Sequence, residues 1–147
     1  MNQYGDPVDI LESGYVRFYE LLGFIPKTVS NFTKNVEMIF NKKRDLLIVV
    51  GGGSLPPSMY DRPHEDELQP NRDRMEEQVI HYCVAHGIPI IATCRGMQYI
   101  NVMFGGKLWY HPKLPVNRTR GVDHQVWLVK EQRNIWVNNY HSDCIYE

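Results

Sequence analysis

The 147-residue chain has little that would staple, anchor or charge it. It holds three cysteines, Cys83, Cys94 and Cys144, an odd number at wide spacing with no Cys-x-x-Cys pair. That excludes a disulfide framework and a zinc knuckle. Charge of either sign is not in excess: 16 Lys and Arg stand against 17 Asp and Glu, a formal net charge of −1. A general nucleic-acid binder needs a basic surplus, so none is expected. No apolar run approaches the ~18 residues of a membrane span. Met1 to Asp6 shows neither the basic start nor the apolar stretch of a secretory leader, so the expected setting is cytoplasmic. The six histidines lack a ligand spacing such as His-Glu-x-x-His, so neither a metal nor a cofactor is expected. Gly51-Gly52-Gly53 is not followed by Gly-Lys-Ser/Thr, and Leu55-Pro56-Pro57 cannot open a helix there, which excludes a phosphate loop.

What is present is a core. With 43% hydrophobic and 12% aromatic residues the chain is too apolar to stay disordered, and its length suits one domain. Residues 8–22 carry Leu11, Tyr15, Phe18 and Leu22 at helical spacing, closed by Gly23. Phe24 to Ser30 reads as a short strand and Thr33 to Lys42 as a short helix with Val36, Ile39 and Phe40 inward. Leu46 to Val50 is an unbroken apolar run stopped by three glycines, as in a strand buried on both faces. A proline-rich loop over 54–70 precedes a helix from Arg72 to His86, capped by Asn71 and ended by Gly87, with Met75, Val79 and Cys83 on its inner face. Pro89 to Thr93 is a second buried strand, and Met97 to Phe104 a helix ended by Gly105-Gly106. Gln125 to Lys130 and Asn134 to Tyr140 then read as an antiparallel hairpin. The alternation implies an α/β fold with a mostly parallel sheet, helices on both faces and a small antiparallel addition. Ligands in such sheets sit beyond the carboxyl ends of the strands.

Two of those ends carry chemistry. Ala92-Thr93-Cys94-Arg95-Gly96 has the small-x-nucleophile-x-Gly spacing of a nucleophile elbow, with cysteine in place of serine. The sharp turn needs small flanks and lifts Cys94 over a helix N-terminus, which favours a thiolate. The N–H of Arg95 would then face a developing oxyanion. A small buried cysteine at a strand end is the plain alternative, at even weight on this segment alone. The glycines at 51–53 are either a bare turn or a place where backbone N–H groups approach a substrate. Cys83 reads as core, and Cys144 carries no assignment. His141, after an apparent strand, could reach the same end of the sheet.

Together these segments resemble the class I glutamine amidotransferases, in their γ-glutamyl hydrolase-like branch, the C26 peptidases. Thr93-Cys94-Arg95-Gly96-Met97-Gln98 through Phe104-Gly105-Gly106 is similar to the family's nucleophile segment. Val49 to Tyr60 resembles its oxyanion-strand loop, Arg72-Asp73-Arg74-Met75-Glu76 its Arg-Asp-x-x-Glu helix start, and Val137 to His141 its Val-Asn-Ser-x-His strand. The resemblance implies a flavodoxin-like sheet and attack by Cys94 on the γ-carbonyl of glutamine or a γ-glutamyl amide, through a thioester. It implies an oxyanion hole from the N–H groups of Gly52 and Arg95. Gly53, Gln98 and His141 would line the glutamyl pocket, no cofactor would be needed, and an ammonia-accepting synthetase is the implied partner.

The chain also departs from that pattern. The family's base histidine lies in a His-Pro-Glu segment beyond the Val-Asn-Ser-x-His strand, and His111-Pro112-Lys113 comes too early and lacks the glutamate. The first strand of the family has no counterpart in residues 1–7. A shortened amidotransferase domain is therefore the expectation. The alternative is a catalytically incomplete domain that binds a γ-glutamyl ligand or a partner protein.

Overall fold

The computed structural model describes residues 3–60, 68–110, 123–138 and 143–146. Among the described residues there are three α-helices, α1 (Ser13–Leu21), α2 (Pro70–Ala85) and α3 (Arg95–Met103), which alternate with the first strands of six. The strands are β1 (Leu47–Val49), β2 (Ile90–Ala92), β3 (Lys107–Tyr110), β4 (His124–Leu128), β5 (Arg133–Val137) and β6 (Asp143–Tyr146). The fold is α/β. β1 and β2 pair in parallel with Leu47 opposite Ile90 and Val49 opposite Ala92. β3 and β6 form one antiparallel ladder, β4 and β5 another. The hairpin expected over 125–140 is thus present. The β3–β6 pairing has no warning in the sequence, because its strands are 32 residues apart and neither alternates cleanly.

Each helix ends by the same local device. In α1 the N–H groups of Gly23 and Phe24 donate to the carbonyls of Glu20 and Tyr19, 2.9 and 3.0 Å away. The pairs Gly87/Ile88 and Gly105/Gly106 close α2 and α3 in the same way. The glycine at each of these three positions has positive φ, which an L-residue with a Cβ adopts at a cost. These three stops are where the sequence places them.

Starts and short elements differ from expectation. α1 begins at Ser13 rather than at residue 8, and Phe24 to Ser30 forms no strand. Instead the Asp9 carboxylate accepts from the Ser30 hydroxyl at 2.6 Å, the Asn31 side-chain amide at 2.5 Å and the Asn31 backbone at 3.1 Å. Side-chain bonds thereby fix the end of this segment, the backbone donor of Asn31 included. The helix expected at 33–42 is a single 3₁₀ turn over Val36–Met38, although Val36 and Phe40 do pack inward. α2 starts at Pro70, whose fixed φ suits the first helical position, so Asn71 is not its cap; Asn71 accepts from Arg74 instead.

The core lies on one face of the parallel pair. Val49, Leu47, Ile90 and Ala92 meet Met75, Val79, Ile80 and Cys83 of α2, with Leu55, Ile88 and Tyr99 closing the edges. The expectation of strands buried on both faces fails on the other side. Ile91 remains 42% exposed, and Ile48 opposite it is half-buried. Successive strand residues point to opposite faces, and on this second face Leu46, Ile48 and Val50 are half-buried while Ile91 is exposed, so the face is covered only in part. The apolar stripe expected on α1 points inward only in part: Leu11 and Tyr15 are half-buried, Phe18 and Leu22 are exposed, and Tyr19 is the buried residue of that helix.

Candidate active site

The end of β2 turns straight into α3 at Cys94, which has φ 54° and ψ −118°. Strained backbone at a non-glycine residue costs on the order of 1–3 kcal/mol and persists where neighbours hold it. Here they do. The Thr93 N–H donates to the Val49 carbonyl at 2.9 Å, the Gly96 N–H to Thr93 at 3.0 Å and the Gln98 N–H to the Cys94 carbonyl at 3.1 Å. Gly96 cannot be larger: a Cβ there would lie 2.5 Å from the Val49 carbonyl oxygen. The small residue expected two places after the cysteine is therefore required by contact with β1.

The glycine loop after β1 comes against this turn. A Cβ added to Gly51 would sit 3.5 Å from the Cys94 Cβ and 3.7 Å from its Sγ, ordinary contact distances that put the two loops side by side, and 3.0 Å from the Tyr15 hydroxyl. Gly52 is crowded by arginines, its absent Cβ falling 2.1 Å from Arg72 Nη1 and 3.2 Å from Arg95 Cδ. Gly53 follows, half-buried. Tyr15 reaches in from α1, and its hydroxyl accepts the Gly51 N–H at 3.1 Å.

Behind both loops lies a buried ionic cluster. The Arg95 side chain, 1% exposed, donates to Glu76 through Nη1 and to Asp73 through Nη2. Arg72 Nε donates to the other Glu76 oxygen at 2.6 Å. Its Nη1 and Nη2 reach the carbonyls of Gly51 and Val50 at 2.9 and 2.8 Å. Two guanidinium and two carboxylate groups pair with one another there, the condition under which buried charge is tolerated, although Arg95 Nε makes no hydrogen bond among the described residues. Burial pushes the Asp73 carboxyl above its usual value and outweighs the pull of Arg95. Burial likewise raises the Tyr99 phenol, whose hydroxyl donates to the Asp73 carbonyl at 2.7 Å. Arg95 also lies over the Tyr99 ring, 5.3 Å from its centre.

Of the residues picked from sequence, Cys94, Arg95 and Gly52 share this junction. Gln98 stands one turn along α3, buried, with Nε2 donating to the Asp143 carbonyl of β6 at 2.7 Å. Tyr60, from the loop after the glycines, donates to the Asp143 carboxylate at 3.1 Å. His141 lies outside the described residues. Tyr15 was missed as a site residue because it reads as one member of an apolar stripe. Arg72, Asp73 and Glu76 stood out as a motif without a role. The signal was available: Arg72 and Glu76 are four apart on a helix, and Asp73 lies between them on the face that carries Met75 and Val79 inward. Among the described residues no group of three or more His, Cys, Asp or Glu is placed to hold a metal ion, and no helix is long and apolar enough to cross a membrane.

Residues 2–147 match the family described as Peptidase C26. The chain is 31% identical over 163 aligned positions to the protein NtpR of Enterococcus hirae, covering 97% of this chain and 68% of that one. It is 29% identical to a glutamine amidotransferase-like protein, a YvdE homolog of Lactococcus lactis subsp. cremoris, over 69% of this chain and 63% of the relative. It is 26% identical to the γ-glutamyl-γ-aminobutyrate hydrolase PuuD of Escherichia coli, over 73% of this chain and 51% of that enzyme. The chain thus spans between about half and two thirds of these three relatives' lengths.

Proposed function

The chain belongs to the Peptidase C26 family, and from that premise we propose that it cleaves a γ-glutamyl amide through a thioester on Cys94. The observation that carries this reading is the Cys94 backbone, held at φ 54° between a parallel strand and a helix and set against the glycine loop. A cysteine needed only for packing has no reason to sit at a strained turn.

The chemistry follows from the residues at the junction. Cys94 Sγ attacks the γ-carbonyl carbon, forming a C–S bond while the carbonyl oxygen takes up negative charge. The N–H groups of Gly52 and Arg95 face that oxygen. The tetrahedral species collapses, the C–N bond breaks, and the amine departs with the proton the thiol lost. Water then cleaves the glutamyl thioester and frees Cys94. Gly53 and Gln98 border the pocket for the glutamyl end, and the family resemblance gives His141 the same role. Since Gln98 Nε2 is committed to Asp143, its Oε1 is the atom that meets a substrate ammonium. When the substrate is glutamine, the amine released is ammonia, and a cytoplasmic synthetase that consumes it is the fitting partner.

The test is trapping by a diazoketone analogue of glutamine, run beside hydrolysis of a γ-glutamyl anilide. The expected result is an adduct on Cys94 and turnover that Cys94→Ala abolishes. Binding of a γ-glutamyl ligand with neither adduct nor turnover would support the non-catalytic alternative and contradict this reading.

A further inference from the structure

We propose that Arg72 is a positioning residue that sets the direction of the oxyanion-binding N–H groups, a role that rests on the cysteine reading above. The peptide linking Val50 and Gly51 is gripped from both sides. Its carbonyl accepts from Arg72 Nη2 at 2.8 Å, and its N–H donates to the Tyr15 hydroxyl at 3.1 Å. The next carbonyl, that of Gly51, accepts from Nη1 of the same guanidinium at 2.9 Å.

The described peptide bonds are trans, and in a planar trans peptide the C=O and the following N–H point in opposite directions. Two consecutive carbonyls drawn to one guanidinium therefore turn two consecutive N–H groups away from it, to the same side. The first of these, from Gly51, meets Tyr15; the second belongs to Gly52. Successive N–H groups aimed to one side make an anion-binding concavity. The Tyr15 hydroxyl and Cys94 Sγ flank one point beside Gly51, 3.0 and 3.7 Å from where its Cβ would be. The loop is thus held with its N–H face on the cysteine side.

The guanidinium is itself fixed. Nε is bound to Glu76, which also takes Arg95, the residue whose N–H is the second oxyanion donor. One carboxylate thereby ties the glycine loop to the elbow. Gly52 makes room for this, since a side chain there would overlap Arg72 Nη1. Lysine cannot substitute: a single ammonium on a flexible stem cannot span two carbonyls and a carboxylate with a planar fork.

The experiment compares two reactions of Cys94 in the whole chain, in wild type, Arg72→Lys and Arg72→Gln. Acylation by a γ-glutamyl anilide builds an oxyanion; alkylation by iodoacetamide, a displacement at saturated carbon, does not. The expected result is a fall of about 100-fold in the acylation kcat in both variants, the scale of a misplaced oxyanion donor. KM should stay within about threefold and the iodoacetamide rate within about twofold. Unchanged acylation in the variants would overturn the proposal. So would a parallel fall in both reactions, which marks a general loss of structure. Wild-type chain that alkylates but releases no anilide would instead overturn the cysteine reading itself.

Discussion

The junction at Cys94 and the segment around α1 are built on opposite terms. At the junction nearly every polar group is engaged: Arg95 and Arg72 hold two carboxylates, two loop carbonyls are bound, and the strained cysteine is fixed by backbone bonds on both sides. Around α1 most large apolar residues point outward, with Tyr19 buried and Tyr15 turned to the glycine loop. Leu21 is 86% exposed, Ile25 equally so, and the segment is held by Asp9 to Ser30 and Asn31 and by Tyr15 to Gly51. The first region is over-determined and the second loosely tied. Strain in a backbone survives only where the surroundings outbid it, so the over-determined region is where function is to be sought.

Breaking the cluster should therefore have the largest effect. Arg95→Met removes the cation and leaves Asp73 buried without its partner, while Glu76 keeps Arg72, which should cost about 3 kcal/mol in denaturant unfolding. A loss under about 1 kcal/mol would show that water reaches these carboxylates. The next effect comes from the core beneath the site. Burial holds the Cys83 thiol up at about 11, against an ordinary value of 9.0. Below about pH 9 the thiol is protonated whether folded or not. Between 9 and 11 only the unfolded chain gives up the proton, so stability should fall as pH rises, by at most about 1.4 kcal/mol per pH unit, and level off above. Cys83→Ala should remove the fall between about pH 9 and 10 and leave that of the buried Tyr99 phenol above; an unchanged profile below pH 10 would show that another group causes the loss. The smallest effect belongs to α1. Leu21→Ser changes an outward residue and should shift stability by less than about 0.5 kcal/mol. A loss of 2 kcal/mol or more would mean that this face is covered in solution and would remove the contrast between the two regions.

The same contrast separates what was legible in the sequence from what was not. Local signals were reliable where the backbone itself makes the demand: glycine at three helix ends and small residues around Cys94. The start of α2 was misplaced, because Pro70 reads as part of the loop and Asn71 as the cap. The inner face of α2 could be read too, because Met75, Val79 and Cys83 recur at helical spacing against one continuous core. Residues 24–30 misled, since weak alternation over a short segment does not by itself make a strand; its end is held instead by Asp9 through Ser30 and Asn31. The α1 stripe misled for a related reason: periodicity tells that a helix has an apolar face, not what that face meets. At the site, Cys94 and its glycine neighbours were visible from spacing. The roles of Arg72, Asp73, Glu76 and Tyr15 were not, because each depends on loops more than 18 residues away in the chain.

The claim at the centre is that Cys94 is a nucleophile presented by its turn. The most direct measurement is the mass of the chain after exposure to a diazoketone analogue of glutamine, with the adduct located by peptide mapping. The account predicts one adduct per chain, on Cys94, prevented by excess glutamine and lost in Cys94→Ala. A folded chain that leaves Cys94 unmodified, or whose labelling is indifferent to glutamine, would contradict it.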